Sequence, residues 1–142
     1  MILPDLNLLL YAYNPQAPQY KKAMVWWENV INSKQAILLP YEILFGFIRI
    51  ATNKRLGEAC VSLKQAKNTV DSWLNMSHTK IITPDQDHYS RALNLMSESK
   101  SQGPVLSDAI LASYAIQHGA TLCSNDDNFK RFKGLVYFNP IQ

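Results

Sequence analysis

The sequence predicts an α/β fold: a short, mainly parallel sheet covered by helices on both faces. Three observations carry that expectation. Short apolar runs alternate with longer stretches whose apolar residues recur at helical spacing, proline or glycine punctuates several of the joints, and no internal repeat, low-complexity stretch or long linker interrupts the order. Residues 1–142 therefore read as one domain, a length that fits a single core.

Ile2 to Asp5 reads as a short strand entering the apolar segment Leu6 to Tyr13, which the Asn14-Pro15 and Ala17-Pro18 turns end. Tyr20 to Ile31 follows as a helix, with Ala23, Trp26, Trp27 and Val30 at helical spacing. Ala36 to Leu39 is a buried strand, and Pro40 suits the first turn of the helix Tyr41 to Thr52. Helices are expected over Gly57 to Asn75 and Asp85 to Ser101, around a strand at Lys80 to Thr83. Gly103-Pro104 is a turn, and the helix Ser107 to Gln117 is closed by Gly119. Ala120 to Cys123 is a strand, Asp127 to Phe132 a helical turn and Leu135 to Phe138 a last strand.

Composition narrows the class. Hydrophobic residues make up 47% and charged residues 18%, as in an ordinary globular chain. The apolar run after Asp5 is far short of the ~20 residues of a membrane span, nothing resembling a secretory signal precedes Asp5, and Cys60 and Cys123 read as buried free thiols, so a cytoplasmic protein is expected. The net charge is +3, too mild to establish nucleic-acid binding by itself. If four acids share one metal site, however, 14 basic residues face the 7 remaining acids, a surplus of 7 that suits a polyanion.

Four acids stand where this architecture puts ligands: Asp5 ends the first strand, Glu42 opens the helix after the second, Asp108 lies in the first turn of the helix Ser107 to Gln117 and Asp126 ends the strand Ala120 to Cys123 plus its turn, so three of the four reach the carboxyl edge of the sheet. Each also has a plain structural reading. Glu42 and Asp108 complement the positive ends of their helices, worth about 0.3–1 kcal/mol each, and Asp126, or Ser124 or Asn125, caps the turn beginning at Asp127. Asp5 is harder to dismiss, because an unpaired carboxylate within an apolar segment is costly without a metal or a cationic partner. Crowded carboxylates call for a hard divalent cation such as Mg²⁺, which is held by a few carboxylates, water and substrate phosphate and can activate water against a phosphodiester.

At these residues the chain resembles the VapC-like toxins of the PIN-domain ribonuclease family. The opening Ile2-Leu3-Pro4-Asp5-Leu6-Asn7-Leu8-Leu9-Leu10-Tyr11-Ala12 is similar to the first acidic motif of that family, and Glu42 to Ile50 to the second. Ser107 to Ala112, with Gly119 to Leu122, resembles the third; Ser124-Asn125-Asp126-Asp127-Asn128-Phe129 resembles the closing motif, and Asn139-Pro140 a common ending. The resemblance runs from end to end in order. It implies a three-layer α/β/α sandwich, Asp5, Glu42, Asp108 and Asp126 around Mg²⁺ or Mn²⁺, hydrolysis of RNA, a VapB-like antitoxin partner whose tail offers an Arg to the acids, and homodimers or toxin–antitoxin hetero-oligomers. One departure stands out. Asn128 replaces an Asp often found before the Phe of the closing motif, which leaves Asp126 and Asp127 as rivals for the last position, Asp126 aligning better.

Arg49 lies two helical turns after Glu42 on the same face, either as an internal ion pair holding Glu42 or as a contact to the RNA backbone. Lys130, Arg131 and Lys133 follow Asp126 and either track phosphates or form ordinary solvated surface. Ser124 bonds a site carboxylate or caps the turn. His78, His88 and His118 lack metal-ligand spacing, His118 reading as a helix-end charge. The tryptophans read as core or interface, and Trp26, Trp27, Phe45 and Phe47 on the helices Tyr20 to Asn32 and Tyr41 to Lys54 mark a candidate docking face for the partner. A PIN fold that binds RNA or protein without cutting is the alternative from another class; a haloacid-dehalogenase-type phosphatase is disfavoured because Asn7 stands where a second Asp is required.

Overall fold

Two consecutive buried runs make the middle of the sheet. In the computed structural model, which describes residues 1–142, β1 (Ile2–Pro4) and β2 (Ile37–Pro40) are buried at every position, as strands covered on both faces must be. They are joined by β3 (Thr79–Ile82), β4 (Thr121–Cys123) and β5 (Val136–Phe138) in the order β3-β2-β1-β4-β5, with every neighbouring pair parallel. Ile2 is in register with both Ile37 and Thr121, and Pro4 with Cys123, so the carboxyl ends of β1 and β4 emerge together.

The helices are α1 (Leu6–Ala12), α2 (Tyr20–Asn32), α3 (Tyr41–Ala51), α4 (Leu63–Leu74), α5 (His88–Glu98) and α6 (Leu106–His118). From β1 to β3 the chain steps one way across the sheet; from β3 to β4 it returns past β2 and β1. Right-handed connections then put α1 to α4 on one face and α5 and α6 on the other, in keeping with α1 packing on α2 and α3, α3 on α4, and α5 on α6. The strand order turns at β1 and β4, the place where open α/β sheets leave a crevice.

Several boundaries differ from the sequence expectation for local reasons. The helix expected from Gly57 is instead a short 3₁₀ segment, Lys54–Ala59, broken at Gly57 (φ 62, ψ −125). The regular helix waits for Ser62, whose hydroxyl accepts from the Gln65 N–H while the Gln65 side chain accepts from the Ser62 N–H. Similarly, α5 is shorter than Asp85 to Ser101. Pro40 is the residue before α3 rather than the first of its turn, ending β2 in an extended conformation (φ −74, ψ 159). Gly119 does close α6, at φ 63.

The core is continuous through Leu3, Leu8, Leu9, Ile37, Leu39, Ile43 and Leu122, all at most 2% exposed. Trp27, Phe47 and Trp73 belong to it, not to a docking face. Their indole N–H groups explain how two tryptophans tolerate burial: Tyr13 Oη accepts from Trp27 Nε1 at 3.2 Å and from Trp73 Nε1 at 2.9 Å. Of the four aromatics expected to form a docking patch, Trp26 is half-buried and only Phe45 is exposed, at 66%, stacked on the exposed Tyr41. Cys123 is a buried thiol, pushed up to about 12 by its burial, whereas Cys60 is half-buried; both are free. His118 stands in the last turn of α6, with its Nε2 buried and without a partner. No helix is long and apolar enough to cross a membrane.

Candidate active site

Asp5 is the first residue past β1, held in extended conformation by a backbone hydrogen bond from its N–H to the Cys123 carbonyl at 2.8 Å. It caps α1: Oδ1 accepts from the Leu6 N–H at 2.7 Å. Its other oxygen accepts from Ser124 Oγ at 2.6 Å. Ser124 follows β4, is fully buried, and accepts in turn from the Asp126 N–H at 3.0 Å and from Asn7 Nδ2 at 3.2 Å. A hydroxyl offers one proton and two lone pairs, and all three are used here. Both sequence readings of Ser124, carboxylate partner and turn cap, are thus realised in one side chain.

Glu42 occupies the first turn of α3 and Asp108 the first turn of α6. With Asp5 they line a cleft of about 270 Å³ whose other polar walls are Arg49 and Ser107. Asp126 is not in that lining, but it stands close enough for its charge to act on both Asp5 and Asp108. Burial is the first cause that pushes the Asp5 carboxyl from 3.8 up to about 6; the bonds from Ser124 and Leu6 pull it down, and the charges of Asp108 and Asp126 add to the rise. Asp108 is raised by burial and by Asp126, with Arg131 opposing.

None of the four acids takes part in an ion pair; those that form are Lys67–Asp71, Arg91–Asp85 and Lys130–Asp127. The expected ion pair between Arg49 and Glu42 is therefore not made, although both side chains line the cleft. Lys130 is engaged with Asp127 at 3.5 Å, and Lys133 lines a separate groove with Asp87 and Arg91. Arg131 donates to the Asn128 carbonyl at 3.0 Å and to Ser101 Oγ at 3.3 Å, and its charge reaches Asp108. The two rival aspartates also part company. Asp126 is half-buried, its carboxylate accepting from the Asn128 N–H at 2.9 Å. Asp127 is exposed and bonded by Tyr137 Oη at 2.8 Å, a contact that, with Lys130, holds it below the usual carboxylate range.

The donor set is all oxygen and anionic, with a buried acid that the protein gives no cationic partner. No three Asp, Glu, His or Cys side chains converge closely enough to form a ready-made cage. Oxygen-only, anionic groups are the donor chemistry of a hard cation that keeps much of its water rather than of a zinc-type thiolate or imidazole site.

One polar group that reaches the site, and a second behind it, had no local signature. Tyr114 of α6, 4% exposed, donates its hydroxyl to Glu42 Oε1 at 3.1 Å. Burial first, then Glu42 itself, pushes that phenol up to about 12. Ser113 beside it is fully buried and lies 2.8 Å from His88 Nδ1. The one clue was that α6 is apolar almost all round, so a tyrosine within it must find a partner for its hydroxyl.

Comparison with known proteins agrees with this fold. The family model for the PIN domain matches residues 2–135. Ribonuclease VapC33 of Mycobacterium tuberculosis is 36% identical over 142 residues, covering 100% of this chain and 99% of that protein. Ribonuclease VapC43 of the same organism is 30% identical, covering 99% and 96%. Among solved structures, VapBC2 from Rickettsia felis bound to a DNA fragment from its promoter superposes with a TM-score of 0.70 over 98% of both chains, at 22% identity, a likeness of fold. A parallel sheet with Asp5, Glu42 and Asp108 lining one cleft, matched from end to end by named relatives, leads to one assignment: this chain belongs to the PIN-domain family, among the VapC ribonucleases.

Proposed function

We propose that the chain is a divalent-metal-dependent endoribonuclease, the toxin of a VapBC-like toxin–antitoxin pair, acting as a single PIN-like domain over residues 1–142. The observation that carries the reading is Asp5: a carboxylate at the end of β1, held by Ser124 and Leu6, lining one cleft with Glu42 and Asp108, with no cationic side chain paired to it. Relatives named ribonucleases at 36% and 30% identity supply the substrate class.

In this reading Asp5, Glu42, Asp108 and Asp126 are the residues that would hold Mg²⁺ or Mn²⁺, and a cation held there would supply positive charge and water activation against the phosphodiester. The chain's own residues do the rest. Ser124 fixes the rotamer of Asp5 and ties it to the turn that carries Asp126. Arg49, on the cleft wall without an acidic partner, is free to contact the RNA backbone, while Arg131, whose charge reaches Asp108 but whose guanidinium also bonds Asn128 and Ser101, and Lys130, engaged with Asp127, have weaker claims. A VapB-like antitoxin is the partner, and a basic side chain from it, an Arg above all, matches the acid cluster as a bidentate counter-charge. Homodimers and toxin–antitoxin hetero-oligomers are the expected assemblies.

The test is cleavage of RNA by the purified protein with Mg²⁺, with and without EDTA, beside Asp108→Asn. Metal-dependent cleavage is expected, with a loss in Asp108→Asn beyond the roughly 10- to 100-fold that outer partners of a metal ligand contribute. Cleavage at the wild-type rate by Asp108→Asn overturns the site.

A further inference from the structure

We propose that Tyr114 is the positioning residue for Glu42, its hydroxyl taking one carboxylate oxygen so that the other is presented alone to the cleft as a single-oxygen donor. The inference rests on the reading of Glu42 as a metal-site acid and concerns how that acid is aimed.

Glu42 needs such a partner. Asp5 is pinned by two hydrogen bonds, whereas Glu42 is exposed, makes no ion pair and has a longer side chain with more rotamers to lose. Its only hydrogen bond is the one from Tyr114 to Oε1, and Oε2 takes none from the protein. The bond joins α3 to α6, which no local sequence pattern brings together.

Tyr114 in turn is braced from α5. Its ring packs against His88 in a tilted arrangement, with centroids 4.4 Å apart and planes 34° from parallel. His88 is held by Ser113 Oγ at 2.8 Å, and Ser113 Oγ also accepts from Arg91 Nε at 3.1 Å. Arg91 is clamped by both oxygens of Asp85, at 2.6 and 3.3 Å. The hydroxyl is thus delivered to Glu42 by a ring with little freedom, the arrangement by which an outer partner orients a metal ligand. A tyrosine buried only for packing has no need of a carboxylate as its sole hydroxyl partner.

Tyr114→Phe removes the hydroxyl and keeps the ring. Free Mn²⁺ followed by electron paramagnetic resonance during titration of the whole chain should show affinity weakened roughly tenfold, the low end for outer partners of metal ligands. In RNA cleavage kcat should fall while KM for RNA holds. In Glu42→Gln, which already lacks the anionic ligand, adding Tyr114→Phe should change Mn²⁺ affinity no further. Wild-type Mn²⁺ binding in Tyr114→Phe, or an equal loss in the Glu42→Gln background, overturns this proposal alone. No Mn²⁺ binding by the wild-type chain overturns the metal-site reading and this proposal with it.

Discussion

The hydroxyl of Ser124 donates to Asp5 Oδ2 at 2.6 Å, so a side chain from the turn after β4 holds the acid that ends β1. Because the same oxygen accepts from the Asp126 N–H, two acids far apart in sequence share one buried support. Ser124→Ala leaves the Asp126 N–H and Asn7 Nδ2 without this acceptor. A stability loss of about 2–3 kcal/mol is expected in EDTA, since buried polar groups left unpaired cost about 1–3 kcal/mol each. Denaturant unfolding measures it. The Asp5 carboxyl should rise further, having lost a contact that lowers it. An unchanged unfolding midpoint would show that the hydroxyl supports nothing.

The pH dependence of the metal-free chain follows from Asp5. Its folded-state pKa of about 6 lies above the ordinary 3.8, so the stabilisation is fully present below about 4 and is lost as pH rises through about 6. Lowering pH from 7 toward 4.5 in EDTA should therefore add stability, on the order of 2 kcal/mol from this group. His88, lowered chiefly by burial, works in the opposite direction. The difference between wild type and Asp5→Asn isolates the carboxyl: the variant should lack the rise. Parallel stability–pH curves for the two proteins would remove Asp5 as its source.

Asp126 and Asp127 should separate under metal titration. Asp126→Ala is expected to weaken Mn²⁺ binding and RNA cleavage strongly and to lose a cap worth about 1 kcal/mol, because its charge already acts on Asp5 and Asp108. Asp127→Ala is expected to leave metal affinity nearly unchanged, because that carboxylate is exposed and engaged by Tyr137 and Lys130. The reverse ranking reassigns the closing ligand.

Growth offers a cellular check. Expression of the chain alone should slow growth, and co-expression with an antitoxin frame should restore it only while the antitoxin's tail is intact. Normal growth at confirmed soluble expression would count against the toxin reading and leave the fold untouched.

The order of the strands and of the helices from α2 onward was legible in the sequence because periodicity, prolines and glycines act locally, whereas Leu6–Ala12, read only as an apolar segment, forms α1; Gly119 closes α6 at positive φ as its type predicts. The places of the four acids in the fold were legible too, since each follows a strand or opens a helix. Which surfaces those elements present to one another was not. Helical spacing places Trp27 and Phe47 on a face, but only packing decides that this face is core, with Tyr13 satisfying the Trp27 indole. Arg49 and Glu42 share one face by spacing, yet that does not make them a pair, because an exposed ion pair has little energy to order two long side chains. The bond from Tyr114 to Glu42 spans 72 residues and two separate helices. It exists only because the chain returns across the sheet and brings Tyr114 of α6 within reach of the first turn of α3, a relation that no local run of residues encodes.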